Sequence, residues 1–321
     1  MTVAIPVLVA IGIVLPHGLR LERSAPATAA ALWAVSLALR ALVATFLALY
    51  LAFFLPGTPV FADLTHWCWH TVLPVLTTHL GLDGHQVGDA ATILPGLVVM
   101  ASLLSVAFGV FRGARAIRRL LARDALGPGP SDSVIVAGPD VILAAAGLKR
   151  PRVVVSAGAL LELDDPELAA GLDHERGHIA RRHRFLLVFA ELCRSIGRFT
   201  PGCERAMREL AFHLERDADQ WALGRRHDRL ALASAICKAA GLRLTGGPAF
   251  TPLSGGGTKE RLGQLIDDQP PERSSAAAAL LNAIAVVLVC ATVLMAALVP
   301  STALAGAQQL GNDPEVRHCV D

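Results

Sequence analysis

The chain is poor in aromatic residues, in charge, and in any cysteine pattern. Aromatics are 5% of its 321 residues and Tyr50 is the single tyrosine. With so few rings to stack on bases, direct nucleic-acid binding is not expected. Charged residues are 17% and the formal net charge is +2. The six cysteines show no CxxC spacing, which excludes a zinc ribbon and a thioredoxin-like redox pair. Residues 57–90 contain no lysine or arginine. There is no internal repeat.

What the chain does have is apolar sequence, gathered into blocks. It is 53% hydrophobic, with a mean hydropathy of +0.51. Residues 28–56, 91–111 and 276–300 are each long enough to cross a hydrocarbon core, which needs about 20 residues of helix. A fourth block, about 2–15, is shorter and holds Pro6. It lacks the basic start and small-residue cleavage site of a signal peptide, so it reads as a short membrane helix. Of 29 Lys and Arg, all but Arg20, Arg23, Arg40 and Arg317 lie between Arg112 and Arg273. The positive-inside rule then gives one consistent topology: N-terminus outside, 16–26 inside, 57–90 outside, 112–275 inside, and the tail 301–321 outside. The expected organisation is a membrane domain over 1–111 with three spans, a cytosolic domain over 112–275, a fourth span at 276–300, and a short outside tail. Arg112, Arg115, Arg118, Arg119 and Arg123 follow a span directly, where they meet anionic head groups of the lipid bilayer.

Several local features stand out. Arg40 lies deep in the second apolar block, either as a functional group or as a helix-bundle contact. The outside loop carries His66, Trp67, Cys68, Trp69 and His70, then His79 and His85. The set reads as an interfacial tryptophan belt or as metal ligands. Cys68 and Cys319 both fall outside, where a disulfide is permitted. Residues 114–124 read as a basic continuation of the third apolar helix, broken by Gly127-Pro128-Gly129-Pro130. Two β-type runs, 133–136 and 152–156, suit a small sheet with an edge strand able to pair with an extended substrate backbone.

The chemistry concentrates in Leu172-Asp173-His174-Glu175-Arg176-Gly177-His178-Ile179-Ala180. On a helix, His174 and His178 share a face. Two imidazoles on adjacent turns can bind one zinc ion. Glu175, beside the first histidine, can take a proton from water that the metal makes acidic. Asp164-Asp165-Pro166-Glu167 supplies a helix start, and Leu168, Leu172 and Ile179 recur at helical spacing. The metzincin pattern fails, because position 184 is arginine. A later helix, about 204–223, carries Leu214-Glu215-Arg216-Asp217-Ala218-Asp219. Glu215 and Asp219 share one face, and either carboxylate can in principle reach the metal. Glutamate reaches further, so the set is read as His174, His178 and Glu215, with Asp219 accepting the free ring N–H of a ligand histidine. Asp217 points nearly opposite and is expected in solvent. His183 and His213 fall off the ligand faces and read as surface residues or as partners behind the metal site. Helices at about 230–242 and 259–266 follow, with a Gly/Pro loop at 246–257 between them.

Taken together, Pro151-Arg152-Val153-Val154-Val155-Ser156, HExxH and Glu215-x-x-Ala218-Asp219 resemble the BlaR/MecR-type membrane metallopeptidases. HtpX and the CAAX prenyl protease share the HExxH and ExxAD core. The resemblance covers about 134–265 and the layout of spans. It implies a mainly α integral membrane protein with a gluzincin-like α+β peptidase domain. It assigns zinc to His174, His178 and Glu215, and the base to Glu175. Arg176-Gly177 departs from the small or apolar residues usual there. No large outside sensor domain follows the last span, which weighs against β-lactam sensing. Tyr50 lies on the outer side of a span, so a histidine or arginine must stabilise the oxyanion.

The expected activity is a zinc endopeptidase with a cytosolic active site, acting on a polypeptide, by resemblance a transcriptional repressor cleaved on a signal. Membrane-protein quality control of the HtpX kind is an alternative. A zinc-stabilised receptor that signals without cleavage is another, disfavoured by the intact Glu175. The topology is testable with introduced thiols. A cysteine placed in 57–90 should react with an impermeant reagent added outside intact cells, and one near Gly129 should not; the reverse labelling would put the active site outside.

Overall fold

The computed structural model describes residues 4–19, 21–53, 84–147, 151–243, 257–266 and 279–291. Helix α1 (Ala4–Gly18) turns through a short 3-10 segment into α2 (Pro26–Phe53). Helix α3 (Gly84–Asp124) is a single rod of 41 residues, about 60 Å long. The basic stretch at 114–124 is its uninterrupted end, as expected. The helix ends at Asp124 and the chain passes directly into β1 (Ala125–Pro128), which runs into the Gly/Pro residues at 127–131. Strands β2 (Val134–Val136), β3 (Leu143–Ala146) and β4 (Arg152–Ser156) complete a sheet of order β1-β2-β4-β3. β2 and β4 run parallel, while β1 and β3 are antiparallel to their neighbours. β3 is therefore an edge. The two β-type runs became β2 and β4; β3, Leu-Ala-Ala-Ala, has no β-branched residue to announce it.

Five helices follow: α4 (Ala157–Glu162), α5 (Asp165–Ala180), α6 (His183–Ile196), α7 (Cys203–Leu223) and α8 (Arg229–Arg243). After residues outside the description come α9 (Thr258–Ile266) and α10 (Ala279–Ala291).

Among the described residues, two helices are long and apolar enough to cross a membrane, Pro26–Leu51 and Gly96–Asp124. α1 and α10 are shorter apolar helices. Along α3 the apolar side chains from Ile93 to Phe111 are largely exposed, with Leu104 at 63% and Phe108 at 60%. α2 behaves differently in its two halves. Val43, Phe46, Leu47 and Tyr50 are exposed, whereas Leu32, Leu37 and Leu39 are fully buried. The buried half packs in one core with Leu210 and Leu214 of α7, Ala190 and Cys193 of α6, and Leu281 and Leu288 of α10. A second core joins Val153 and Val155 of β4 to Leu172 of α5, with Leu168 and Ile179 packed on it.

Arg40 is a bundle contact. It is 2% exposed, its Nε donates to the Pro201 carbonyl at 3.2 Å, and its Nη1 donates to the Ser36 carbonyl at 3.1 Å. Pro201 lies in the turn between α6 and α7. Gly202 there has φ +83°, and an added Cβ would sit 3.0 Å from both Arg40 Nη2 and His17 Nε2. That turn is thus seated on the α1–α2 hairpin. Residues 57–83 of the outside loop, the Cys68–Cys319 pair and most of the loop at 246–257 lie outside the described residues, whereas residues 84–90 form the start of α3.

The start of α5 is a capping box. Asp164 accepts from the Glu167 N–H and Glu167 accepts from the Asp164 N–H, both at 2.9 Å. Glu167 is buried and also accepts from Ser234 and Lys238. Burial works to raise its carboxyl, but these donors prevail and hold it below the usual range. A depressed carboxyl stabilises the fold above its unfolded pKa of about 4.3, and that contribution fades as pH falls through the folded value. Glu167→Ala should lower unfolding stability near neutral pH by about 1–3 kcal/mol. The gap to wild type should shrink in acid titrations followed by circular dichroism; a gap that widens in acid would contradict the sign.

Candidate metal centre

α5 and α7 lie antiparallel, and this brings His174 and His178 against Glu215 and Asp219. The Nε2 atoms of the two histidines are 3.2 Å apart. Glu215 Oε2 lies 3.6 Å from His174 Nε2, and Oε1 lies 3.6 Å from His178 Nε2. One donor atom from each of these three residues falls within a 4.8 Å cluster. Asp219 Oδ1 lies 2.9 Å from His174 Nδ1, on the far side of the ring from the cluster. The structure therefore turns Glu215 to the donor cluster and Asp219 behind it.

The donor set suits zinc. Two imidazole nitrogens and a carboxylate, with a coordination position left to solvent, form a common catalytic zinc arrangement. Glu215 keeps 27% of its side chain exposed, whereas Asp219 keeps 6%, so the cluster has an open side.

Charge is concentrated here. Burial works against ionising Glu215 and Asp219, but Arg261 and the histidines outweigh it and hold both carboxyls below their usual range. Arg261, from α9, donates its Nη1 to Glu215 Oε2 at 2.6 Å and grips Asp219 with Nε and Nη2 at 2.9 and 2.8 Å. Burial lowers His174, yet Asp219 and Glu215 prevail and raise it to about 10. His178 is pushed down to about 3 by burial and by the charge on His174.

Glu175 faces the sheet. Its Oε2 accepts from the Ala145 N–H of β3 at 2.7 Å. Arg184 donates to the Ala145 carbonyl of the same strand and to the Gly147 carbonyl just after it. The edge β3, the base candidate and the two histidines thus border one space.

One expectation is corrected. Asp217 is not solvated: it is 5% exposed, and its Oδ2 lies 3.1 Å from His183 Nε2. The side of α7 away from the metal cluster faces α2 and α6 rather than water. Of the two readings open for His183 and His213, the surface one does not hold, since both are buried. His183 Nδ1 sits 2.9 Å from His178 Nδ1, which makes it a partner behind the metal site. His213 pairs with Arg216 at 3.1 Å, and burial with the Arg216 charge lowers it to about 3. Arg261 was not found from sequence, because only the return of α9 onto α7 brings it to the carboxylates.

Gly177, inside the HExxH motif, has a steric reason. A Cβ there would lie 3.0 Å from Trp221 Cβ and 3.1 Å from its Cγ and Cδ1. Trp221 is itself flanked by the Arg225 and Arg181 guanidiniums, 4.2 and 5.6 Å from its ring centre.

A family model described as Peptidase family M48 matches residues 114–202. That stretch runs from the end of α3 through the sheet, α5 and α6, and stops just before α7. The similarity supports a metallopeptidase over this segment. No curated protein and no solved structure matches the chain.

Alanine normally gains about 1 kcal/mol over glycine inside a helix. Gly177→Ala should instead lower the unfolding midpoint of the wild-type protein, and should raise it in a Trp221→Gly background, which removes the Trp221 Cβ as well as the ring. Equal effects of Gly177→Ala in both backgrounds would remove Trp221 as the cause.

Proposed function

We propose that the protein is a membrane-anchored zinc endopeptidase whose active site faces the cytosol. The observation that carries this reading is the convergence of His174, His178 and Glu215 on one open point, with Glu175 beside them and the edge of β3 alongside. The match to the M48 family over the same elements supports it. The apolar helices α2 and α3 and the arginines that follow Phe111 support the membrane location and the orientation.

Zinc held by His174, His178 and Glu215 would supply a Lewis acid that polarises a scissile carbonyl and acidifies water. Glu175 is the proton carrier: it takes a proton from the attacking water and delivers it to the leaving amine. The Ala145 N–H holds its carboxylate toward the cleft meanwhile. An extended peptide can align along β3 through main-chain hydrogen bonds, provided Arg184 releases the Ala145 and Gly147 carbonyls. Arg261 keeps Glu215 and Asp219 ionised. Asp219 keeps the His174 ring turned so that Nε2 faces the cluster.

A polypeptide with a cytosolic cleavage site is the substrate class. By resemblance to the BlaR/MecR-type peptidases, a transcriptional repressor cleaved on a signal is the specific reading. An HtpX-like role in membrane-protein quality control shares the same chemistry. The two differ in whether the substrate is soluble or membrane-inserted.

Glu175→Gln tests the mechanism. The variant should bind zinc like wild type, since the residue is not a ligand, and should lose proteolysis by at least about 100-fold, within the range for a general base. Comparison of cytosolic fragments in cells carrying wild type and Glu175→Gln would identify the substrate. Undiminished cleavage by the purified variant would sink the assigned role.

A further inference from the structure

We propose that His183 and Asp217 form a positioning relay that fixes the tautomer and ring orientation of His178 for metal binding. The inference rests on the zinc reading above and assigns a task to two residues that reading does not use.

The argument is one of proton placement. His178 Nε2 belongs to the donor cluster, 3.2 Å from His174 Nε2 and 3.6 Å from Glu215 Oε1. To serve as a ligand it must offer a lone pair, so the ring N–H of a neutral His178 sits on Nδ1. The atom facing that Nδ1 is His183 Nδ1, at 2.9 Å. Only one proton fits between two ring nitrogens at this distance. If His178 donates, His183 Nδ1 accepts and carries its own proton on Nε2. That proton then faces Asp217 Oδ2 at 3.1 Å, and a carboxylate is a pure acceptor. Every contact is satisfied in this one direction. In the reverse arrangement His178 Nε2 would be protonated and lost as a ligand, and a His183 lone pair would face the Asp217 carboxylate.

The surroundings hold the relay in place. His183 and Asp217 are 3% and 5% exposed, so water does not compete for either contact. Arg181 Nε lies 3.7 Å from Asp217 Oδ2, which keeps a cation beside the terminal carboxylate. The backbone also bends to deliver His183. Arg182 adopts the left-handed conformation, φ 56° and ψ 32°, and is the residue that starts α6. A non-glycine residue there is strained, and the turn it makes carries His183 back beside His178. The two ligand histidines are thus supported differently. His174 meets Asp219 of α7 directly, at 2.9 Å. His178 meets a carboxylate of the same helix through an intervening imidazole.

The test uses the full-length chain in detergent, stripped of metal. Zinc affinity is measured by chelator competition, and the visible absorption spectrum is recorded with cobalt substituted. His183→Leu removes both contacts. It should weaken zinc binding by about 10–100-fold, the usual range for losing a partner behind a ligand, and should shift the cobalt bands. His183→Asn restores an acceptor for the His178 N–H and should recover most of the affinity, a rescue that a merely space-filling role would not give. Should His183→Leu fail to fold, Asp217→Asn takes its place, with an expected loss of several-fold. Zinc affinity within about twofold of wild type and an unchanged cobalt spectrum would overturn the relay, as would His183→Asn behaving like His183→Leu. A wild-type chain that binds no zinc would overturn the metal reading itself, and the relay with it.

Discussion

Two carboxylates, one helical turn apart on α7, the one half-buried and the other buried, are held by a single arginine. Withdrawing Asp219, and in part Glu215, from water carries a desolvation cost that must be met by opposite charge and hydrogen bonds. Arg261 meets it with three short contacts. The remaining lone pairs face His174 and His178. The centre is therefore an alternation of acids and bases in which each member is placed by the next. That constraint explains why α9, far along the chain, has to return onto α7. It also explains why α5 and α7 are fixed in one register.

α7 is the element shared by both halves of the structure. One side of it carries the acids. Another side packs Leu210 and Leu214 into the core formed with α1 and α2. A third receives His183. The helix begins at the turn that Arg40 of α2 grips through the Pro201 carbonyl. The α1–α2 hairpin and the metal centre are thus joined by one rigid helix of 21 residues. Exposed apolar side chains on α3 and on the outer half of α2 continue beyond this junction, in keeping with a site held close to a bilayer.

Much of the site was legible in the sequence, for identifiable reasons. HExxH and ExxAD are short-range patterns on helices, and helical geometry turns their spacing into shared faces. The capping box at Asp164 and Glu167 was equally local. Long-range placement was not legible. Asp217 reads as solvated when its helix is given one buried side, whereas α2, α5 and α6 bury most of it. β3 escaped notice because Leu-Ala-Ala-Ala carries no strand preference; it is a strand because β4 offers it a partner. Gly177 reads in the sequence only as part of a departure from the family pattern, and its reason is the Trp221 side chain on a different helix. The packing of one half of α2 against α6, α7 and α10 was not legible either, because apolar residues look alike in a bilayer and in a protein core.

The central claim is that one zinc ion is held by two imidazoles and one carboxylate. X-ray absorption at the zinc edge of the metal-loaded protein addresses it most directly. The account predicts a shell of nitrogen and oxygen at about 2.0–2.2 Å, with the outer scattering of two imidazoles and no sulfur. A sulfur shell at about 2.3 Å, or outer scattering from fewer than two imidazoles, would contradict it.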